Sequence, residues 1–427
     1  MATERYRRTT RAVRALAFVG CATLAVTALD GQVPPPQLDG KVPRRTYSAR
    51  PTIRASFPRE SYAAGERARL VIASTASNVR LQAFRAGTEH TSLAQRDVML
   101  GSAVVPRRSL GDVRRGRVVV LEIGDWPSGL YFAKLTGSGN RVGYAPFVVR
   151  PRRLGEHSVA VVLPTQTWQA YNFSDDDRDG VGDTWYASGA TSRTGRPFEN
   201  RGVPMGYRAY DQPFLRWAQE TGRSLDYLAQ SDLNSVRSGN ALASAYDLIV
   251  FPGHHEYVTT NEYDAIERFR DLGGNLIFLS ANNFFWKVTR RGNLMTRVKR
   301  WRDLGRPEAA LIGVQYFGND RGKHRAPWIV RDPSAGHGLL AAAGLRSGQA
   351  VASGGVEVDA TTRRSPPRTA ILAEVAWLDG KKAQMTYYES PAGAKVFAAG
   401  AFFLAREIRD PPVARLLDVL LTRLSRP

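Results

Sequence analysis

"YDLIVFPGHHEYVTTNEYDAIERFRDLGGNLIFLSANNFFW", Tyr246 to Trp286, is the stretch from which this 427-residue chain is best read. Two nearly continuous apolar runs, "YDLIVFPG" (Tyr246 to Gly253) and "NLIFLSA" (Asn275 to Ala281), flank a segment of helical period. Runs without polar alternation belong to strands covered on both faces, as in a parallel sheet. Between them, Thr259 and Glu262 have capping-box spacing, "EYDAIERFRDL" is amphipathic, and Gly273-Gly274 ends the helix. Strand, helix and strand in that order make a βαβ unit.

Outward from this unit the same rhythm continues. "SVAVVLPT" (Ser158 to Thr165) is a third apolar run, and "TAILAEVAWL", "AQMTYYES" and "KVFAAGAFF" supply further strands. The last helix, "PPVARLLDVLLTRL", starts with prolines behind Asp410, an N-cap type of residue. The expectation for residues 151–427 is therefore an α/β domain with an open, mostly parallel sheet of the glutamine-amidotransferase or flavodoxin kind. Residues 51–150 differ. "ARLVIAS", "VRLQAFRAG", "GRVVVLEIG", "GLYFAKLTG" and "YAPFVVRP" are short β-branched and aromatic runs between Gly, Asp, Ser and Pro turns. They predict a small all-β, Ig-like sandwich. No internal repeat is visible.

Residues 29–50, rich in proline and polar groups, read as a linker. Residues 1–28 read as a signal peptide. "RYRRTTRAVR" gives a charged n-region, "ALAFVGCATLAVTAL" an apolar stretch short for a bilayer span, and Val26-Thr27-Ala28 a small-residue cleavage site. The Arg7-Arg8 pair suggests twin-arginine export to the envelope or the exterior, with no stable transmembrane segment in the mature chain. Cys21, the single cysteine, lies inside the apolar stretch, where "FVGC" faintly resembles a lipoprotein box. Cleavage after Ala28 leaves no cysteine, which excludes disulfides, thiolate metal sites and cysteine nucleophiles. The formal net charge is +21, but the arginines are scattered, with no basic block interleaved with aromatics. Dedicated nucleic-acid binding is not expected.

In open α/β sheets, sites lie beyond the carboxyl ends of the strands. "TWQAYN", "GHHEY" and "NNFFW" occupy those places, and all three are polar and aromatic. Glu256 is the first functional candidate, against a bland role at the following helix N-terminus. His254 and His255 lack the i, i+4 partner of a zinc-binding helix. No Ser-centred nucleophile elbow is present. A fourth feature is "SDDDRDGVGDTWY", Ser174 to Tyr186. Asp175, Asp177, Asp179 and Gly180 fall at positions 1, 3, 5 and 6 of a calcium loop, with Asp183 at position 9. Tyr186 stands where the twelfth-position glutamate belongs, and no amphipathic helix precedes the loop. An EF-hand is excluded, which leaves an aspartate cage for calcium or a solvated turn paired with Arg178 or Arg193.

Over most of Ser158 to Ile408 the chain resembles the C-terminal domain found in the large subunit of N,N-dimethylformamidase and in its relatives. The resemblance rests on "LPTQTWQAYN", on the Tyr246–Val288 stretch, on "ALIGVQYFGND" and on "YYESPAGAKVFAAGAFF". It implies hydrolysis of a small-molecule amide at a mononuclear iron held by two tyrosinates and a glutamate. By motif, the ligands would be Glu256, Tyr171 of "AYN" and Tyr186 of "DTWY", with Tyr207 and Tyr210 as the other candidates for the second tyrosine. His255, Asn282 or Asn283 would handle the proton or the oxyanion. Self-association or a small subunit would supply the protein partner. Relatives often have a glycine-rich link where this chain has aspartates. The rival from another class is a noncatalytic envelope or glycan-binding protein with a calcium-braced loop.

Overall fold

Strands Leu248–Phe251 and Asn275–Phe278 lie side by side in parallel, Leu248 opposite Asn275 and Phe251 opposite Phe278. The helix that joins them, Thr260–Asp271, is capped as its sequence predicts. The Thr259 hydroxyl accepts from the Glu262 N–H, and the Glu262 carboxylate accepts from the Thr259 N–H. The computed structural model describes residues 52–425 apart from 88–96, 114–115, 188 and 237. The expected signal peptide, linker and Cys21 lie outside the described residues.

The βαβ unit sits within an 11-stranded sheet. Its parallel part runs Asp226–Ala229, Val159–Leu163, Leu248–Phe251, Asn275–Phe278 and Lys395–Ala398. From there the sheet turns antiparallel through Lys382–Glu389, Ala370–Ala376, Arg325–Val330, Ala350–Ala360 and Gln315–Asn319. This overturns the expectation of a flavodoxin-like or glutamine-amidotransferase-like open parallel α/β fold. Among the described residues 37% are strand and 22% helix, spread over several large sheets. The physical reason lies in the connections. A parallel neighbour requires a crossover of a dozen residues or more, whereas Ala370–Ala376 and Lys382–Glu389 are joined by a short turn at Leu378–Gly380. Continuous apolar runs mark strands buried on both faces and say nothing of direction.

Ahead of this sheet, two smaller ones face each other across a shared core. Ile53–Ser56, Arg67–Ser74 and Arg117–Glu122 form the first. The second, six-stranded, is built on Val79–Ala86, Gly129–Gly137 and Arg141–Arg150. Leu70, Ile72, Val119 and Leu121 from one meet Leu81, Tyr131, Phe147 and Val149 from the other. Alternation then directs Leu130, Phe132 and Tyr144 to the opposite face. There they join Phe214, Trp217 and the strands beyond Val159 in the largest core. The sandwich and the large sheet thus share buried apolar surface.

A four-stranded sheet, Thr191–Arg193, Leu294–Arg300, Trp286–Arg291 and Tyr257–Val258, stands apart from the rest. Its strand Tyr257–Val258 directly follows "GHHE", and Tyr257 pairs with Trp286. Ala170, Tyr171, Trp185, Tyr257, Val288 and Met295 pack together against it. This small sheet closes over the carboxyl ends of the central parallel strands.

Candidate active site

Three strand ends build the site. Val159–Leu163 runs into the short helix Thr165–Ala170, and Tyr171 caps its C-terminus. Leu248–Phe251 runs into Gly253-His254-His255-Glu256, whose Glu256 N–H donates to the Thr167 hydroxyl at 3.1 Å. Asn275–Phe278 runs into a turn where Asn282 and Phe284 take φ of 51° and 57°. That turn is held by Phe284 N–H to His255 O at 2.8 Å and Phe285 N–H to Glu256 O at 3.0 Å. The three polar loops read from sequence therefore meet.

The side chains converge as well. The Tyr171 hydroxyl donates to Glu256 Oε2, and the Tyr186 hydroxyl bonds the Tyr257 hydroxyl. The Tyr171 and Tyr186 rings stack at 4.8 Å, and His254 stacks on Tyr171 at 5.9 Å. His254 Nε2 lies 3.6 Å from Glu256 Oε2 and 3.3 Å from Glu357 Oε2. Asn282 Nδ2 donates to Glu357 Oε2 at 3.0 Å, and Asn319 holds the other Glu357 oxygen at 2.8 Å. The Arg297 guanidinium lies over Trp286 at 4.7 Å and 5.9 Å from the Tyr186 ring centroid.

Burial governs the electrostatics. It pushes Tyr171, Tyr186 and Tyr257 well above the ordinary phenol range, and the Glu256 charge adds to this. Burial also lifts Glu256, up to about 7, against the hydrogen bond from Tyr171 and the Arg297 charge. Glu357 is raised by burial and by Glu256. His254 is pushed down to about 3 by burial and by His255, so it is neutral at pH 7.

The profile of the family described as N,N-dimethylformamidase beta subunit-like, C-terminal, matches residues 118–411, more than half of the chain. The chain belongs to this family. No curated protein matches it. Among solved structures, a conjugative transposon lipoprotein from Bacteroides eggerthii aligns at 12% identity over 24% of this chain and 98% of its own, with a TM-score of 0.16. A superoxide reductase (neelaredoxin) from Ignicoccus hospitalis aligns at 16% identity over 24% and 79%, with a TM-score of 0.15. A cycloisomaltooligosaccharide glucanotransferase from a Paenibacillus species aligns at 7% identity over 82% and 68%, with a TM-score of 0.17.

In this dimethylformamidase-like chain the structure brings together Tyr171, Tyr186, Glu256 and Asn282. It does not bring in His255, whose ring nitrogens lie 3.0 Å from Gly253 O and 2.9 Å from Val162 O. Asn283 Oδ1 accepts the His255 N–H at 3.0 Å, which ties this side chain to the histidine loop. His255 and Asn283 shape the loop, and it is His254 that reaches the cavity. Tyr207 packs edge-on against Trp168 in the main core, whereas Tyr210 lines the cavity with Tyr171, His254 and Glu357. A larger cleft, lined in part by Arg59, Arg150 and Asp232, includes none of these tyrosines. Sequence reading missed Tyr257, Glu357 and Asp211. Tyr257 directly follows Glu256 and could have been suspected from that adjacency. Glu357 comes from the antiparallel half, where "GGVEVDA" carries no signal beyond alternation.

The aspartate loop lies beside the tyrosines. Carboxylate oxygens of Asp175, Asp177 and Asp183 lie within 4.8 Å of one another, and Asp179 is outside this group. Backbone N–H groups of Arg178 and Gly180 donate to Asp175, and that of Asp176 to Asp183 at 2.7 Å. The arginines gather on Asp176 instead: Arg54 at 2.6 Å, Arg193 at 3.4 Å and Arg196 at 4.0 Å. Arg178 reaches the cluster only through its backbone.

Proposed function

We propose that this chain is an exported, metal-dependent hydrolase of carbon–nitrogen amide bonds, with iron as the metal and a small-molecule amide as substrate. The observation that carries the reading is the buried contact between the Tyr171 hydroxyl and the Glu256 carboxylate, with Tyr186 stacked beside them. Family membership supports the hydrolase class. The donor set fits the metal. Phenol and carboxylate oxygens are hard ligands suited to ferric iron, and a bound cation reverses the penalty that burial places on charged phenolates. His254 Nε2, 6% exposed as a residue and without a hydrogen-bond partner, adds an orphaned polar atom at the same place. Tyr171 and Glu256 would hold the ion, with the second phenolate from Tyr186 or from Tyr210. When bound, it supplies a Lewis acid that polarises a carbonyl and acidifies water.

The remaining residues divide the proton work. Amide cleavage requires a proton on the departing nitrogen. Glu357, whose carboxyl is raised by burial and by Glu256, stands 3.3 Å from His254 Nε2 and places a proton-bearing group beside the cavity. Asn282 holds Glu357 in place and, through its backbone N–H at 2.9 Å, is itself anchored on Asp359. Phe402, Trp168 and Met205 supply apolar walls that limit water.

Calcium in the aspartate loop belongs to the same reading. A cation would relieve the mutual repulsion of three carboxylates whose oxygens lie within 4.8 Å, while Arg54 and Arg193 pair with Asp176. Export rests on the charged and apolar pattern of residues 1–28; no helix among the described residues is long and apolar enough to cross a membrane.

The test is metal analysis and a visible absorption scan of the purified chain, followed by hydrolysis assays on small amides. Tyrosinate bound to ferric iron gives a broad charge-transfer band. A chain that holds no transition metal and cleaves no amide would instead be a noncatalytic binder.

A further inference from the structure

Tyr257 has no part in the roles proposed above, yet its hydroxyl meets that of Tyr186. The residue is 0% exposed and packs with Tyr171, Trp185, Val288 and Met295. Its backbone is fixed from two sides: Tyr257 pairs with Trp286, and its carbonyl accepts from Gln230 Nε2 at 2.9 Å. Its ring is held at 4.9 Å from Trp185 and edge-on to Tyr171 at 6.0 Å. Two facing phenols can share one hydrogen bond in either direction, but a phenolate can only accept. Whichever of the pair carries charge, the other must donate to it.

Two observations select Tyr186 as the charged member. Tyr186 is half-buried whereas Tyr257 has no exposed surface, so desolvation penalises charge more on Tyr257. Arg297, opposite Val288 in the small sheet, places its guanidinium over Trp286 and 5.9 Å from the Tyr186 ring centroid, where a positive charge favours a negative phenol. We infer that Tyr257 is a positioning residue whose hydroxyl donates to the Tyr186 oxygen, making Tyr186 rather than Tyr210 the second phenolate of the metal site. The inference rests on the metal-site reading above and deepens it. A hydrogen bond to a ligand atom steadies its charge and fixes its orientation toward the metal.

The test is Tyr257→Phe, which removes only the hydroxyl, in the full chain loaded with ferric iron. Tyr186→Phe and the double variant are measured beside it. Iron retained after dialysis and the wavelength of the tyrosinate charge-transfer band are the readouts. Tyr257→Phe, with an unchanged thermal melt, should bind iron about 10–100-fold more weakly. Its band should move to longer wavelength, because the lost hydrogen bond no longer draws electron density from the phenolate. In the Tyr186→Phe background the same substitution should cause no further loss of iron, since it acts through Tyr186. Wild-type retention and an unmoved band in Tyr257→Phe overturn the inference alone, as does an equal further loss in the Tyr186→Phe background. Disappearance of the band in Tyr257→Phe, with the band kept in Tyr186→Phe, makes Tyr257 itself the ligand and also overturns it. A wild-type chain with neither retained iron nor a band overturns the metal-site reading and this inference together.

Discussion

The Tyr171 hydroxyl donates to the Glu256 carboxylate, tying the loop after one central strand to the loop after its parallel neighbour. Parallel pairing of Val159–Leu163 with Leu248–Phe251 puts both carboxyl ends on one edge. The contact therefore follows from strand direction together with two short connections. Thr167 strengthens it by accepting the Glu256 N–H at 3.1 Å.

If these two side chains hold iron, Tyr171→Phe and Glu256→Gln should each lower metal retention with little change in the thermal melt. Replacing groups outside the coordination sphere typically costs about 10–100-fold in metal affinity, and loss of a ligand should cost at least that. Metal content after dialysis is the measurement, and wild-type retention in either variant would refute the assignment.

Tyr186→Phe and Tyr210→Phe separate the two candidates for the second phenolate. Tyr186 stacks on Tyr171 at 4.8 Å, while Tyr210 packs on Phe402 at 4.9 Å and lines the cavity. One substitution should bleach the visible charge-transfer band and the other should leave it. Persistence of the band in both variants would exclude a two-tyrosinate centre built from this set.

A pH effect is expected from Glu262, in the capping box. Burial raises its carboxyl from the usual 4.5 to about 8, opposed mainly by the Thr259 N–H bond. The folded state therefore binds more protons than the unfolded state between those values. The contribution of Glu262 to stability is complete below about pH 4.5 and is lost as pH rises toward 8, by at most about 1.4 kcal/mol per pH unit. Gln166 Nε2 donates to Glu262, and Gln166 Oε1 is unpartnered, so a flipped Gln166 can serve a glutamine at this position. Glu262→Gln should thus melt above wild type at pH 8.5 and close to it at pH 5. Parallel melting curves across that range would contradict the shift.

Calcium should raise the melting temperature through Asp175, Asp177 and Asp183. Binding to the native state alone at a hundredfold excess over Kd adds about 2.7 kcal/mol. Asp177→Asn removes one of the three clustered carboxylate charges and should weaken the effect. Melts with calcium, magnesium and chelator on both proteins measure it; indifference to calcium would leave a solvated loop.

Gly202 probes the packing between the sandwich and the site region. Its φ is +96°, and a Cβ there would stand 1.8 Å from the Tyr144 carbonyl oxygen. The neighbouring Tyr144 N–H donates to Arg201 O at 2.7 Å, so the two backbones cannot separate freely. Gly202→Ala should destabilise by at least about 2 kcal/mol in chemical denaturation, through both strain and the clash.

Local chemistry is legible in the linear chain because it depends on neighbours in sequence. The capping box at Thr259 and Glu262, the apolar strands at 248–251 and 275–278, and the polar loops after them are all short-range patterns. Glu256 can be named because it sits a few residues beyond such a strand, whereas Tyr171 and Tyr186 are named from the family resemblance. What the chain does not disclose needs distant partners. Whether an apolar strand runs parallel or antiparallel depends on its connection and its neighbour, so the antiparallel half from Gln315 to Glu389 departs from the parallel expectation. Which of two adjacent histidines faces the site is settled by the backbone carbonyls of Gly253 and Val162, which hold His255 and leave His254 to the cavity. Glu357 and Asp211 enter the site only because the sheet and the π-helical turn place them there. Their pattern along the chain is that of any strand or helix end, and only packing turns them toward Tyr171.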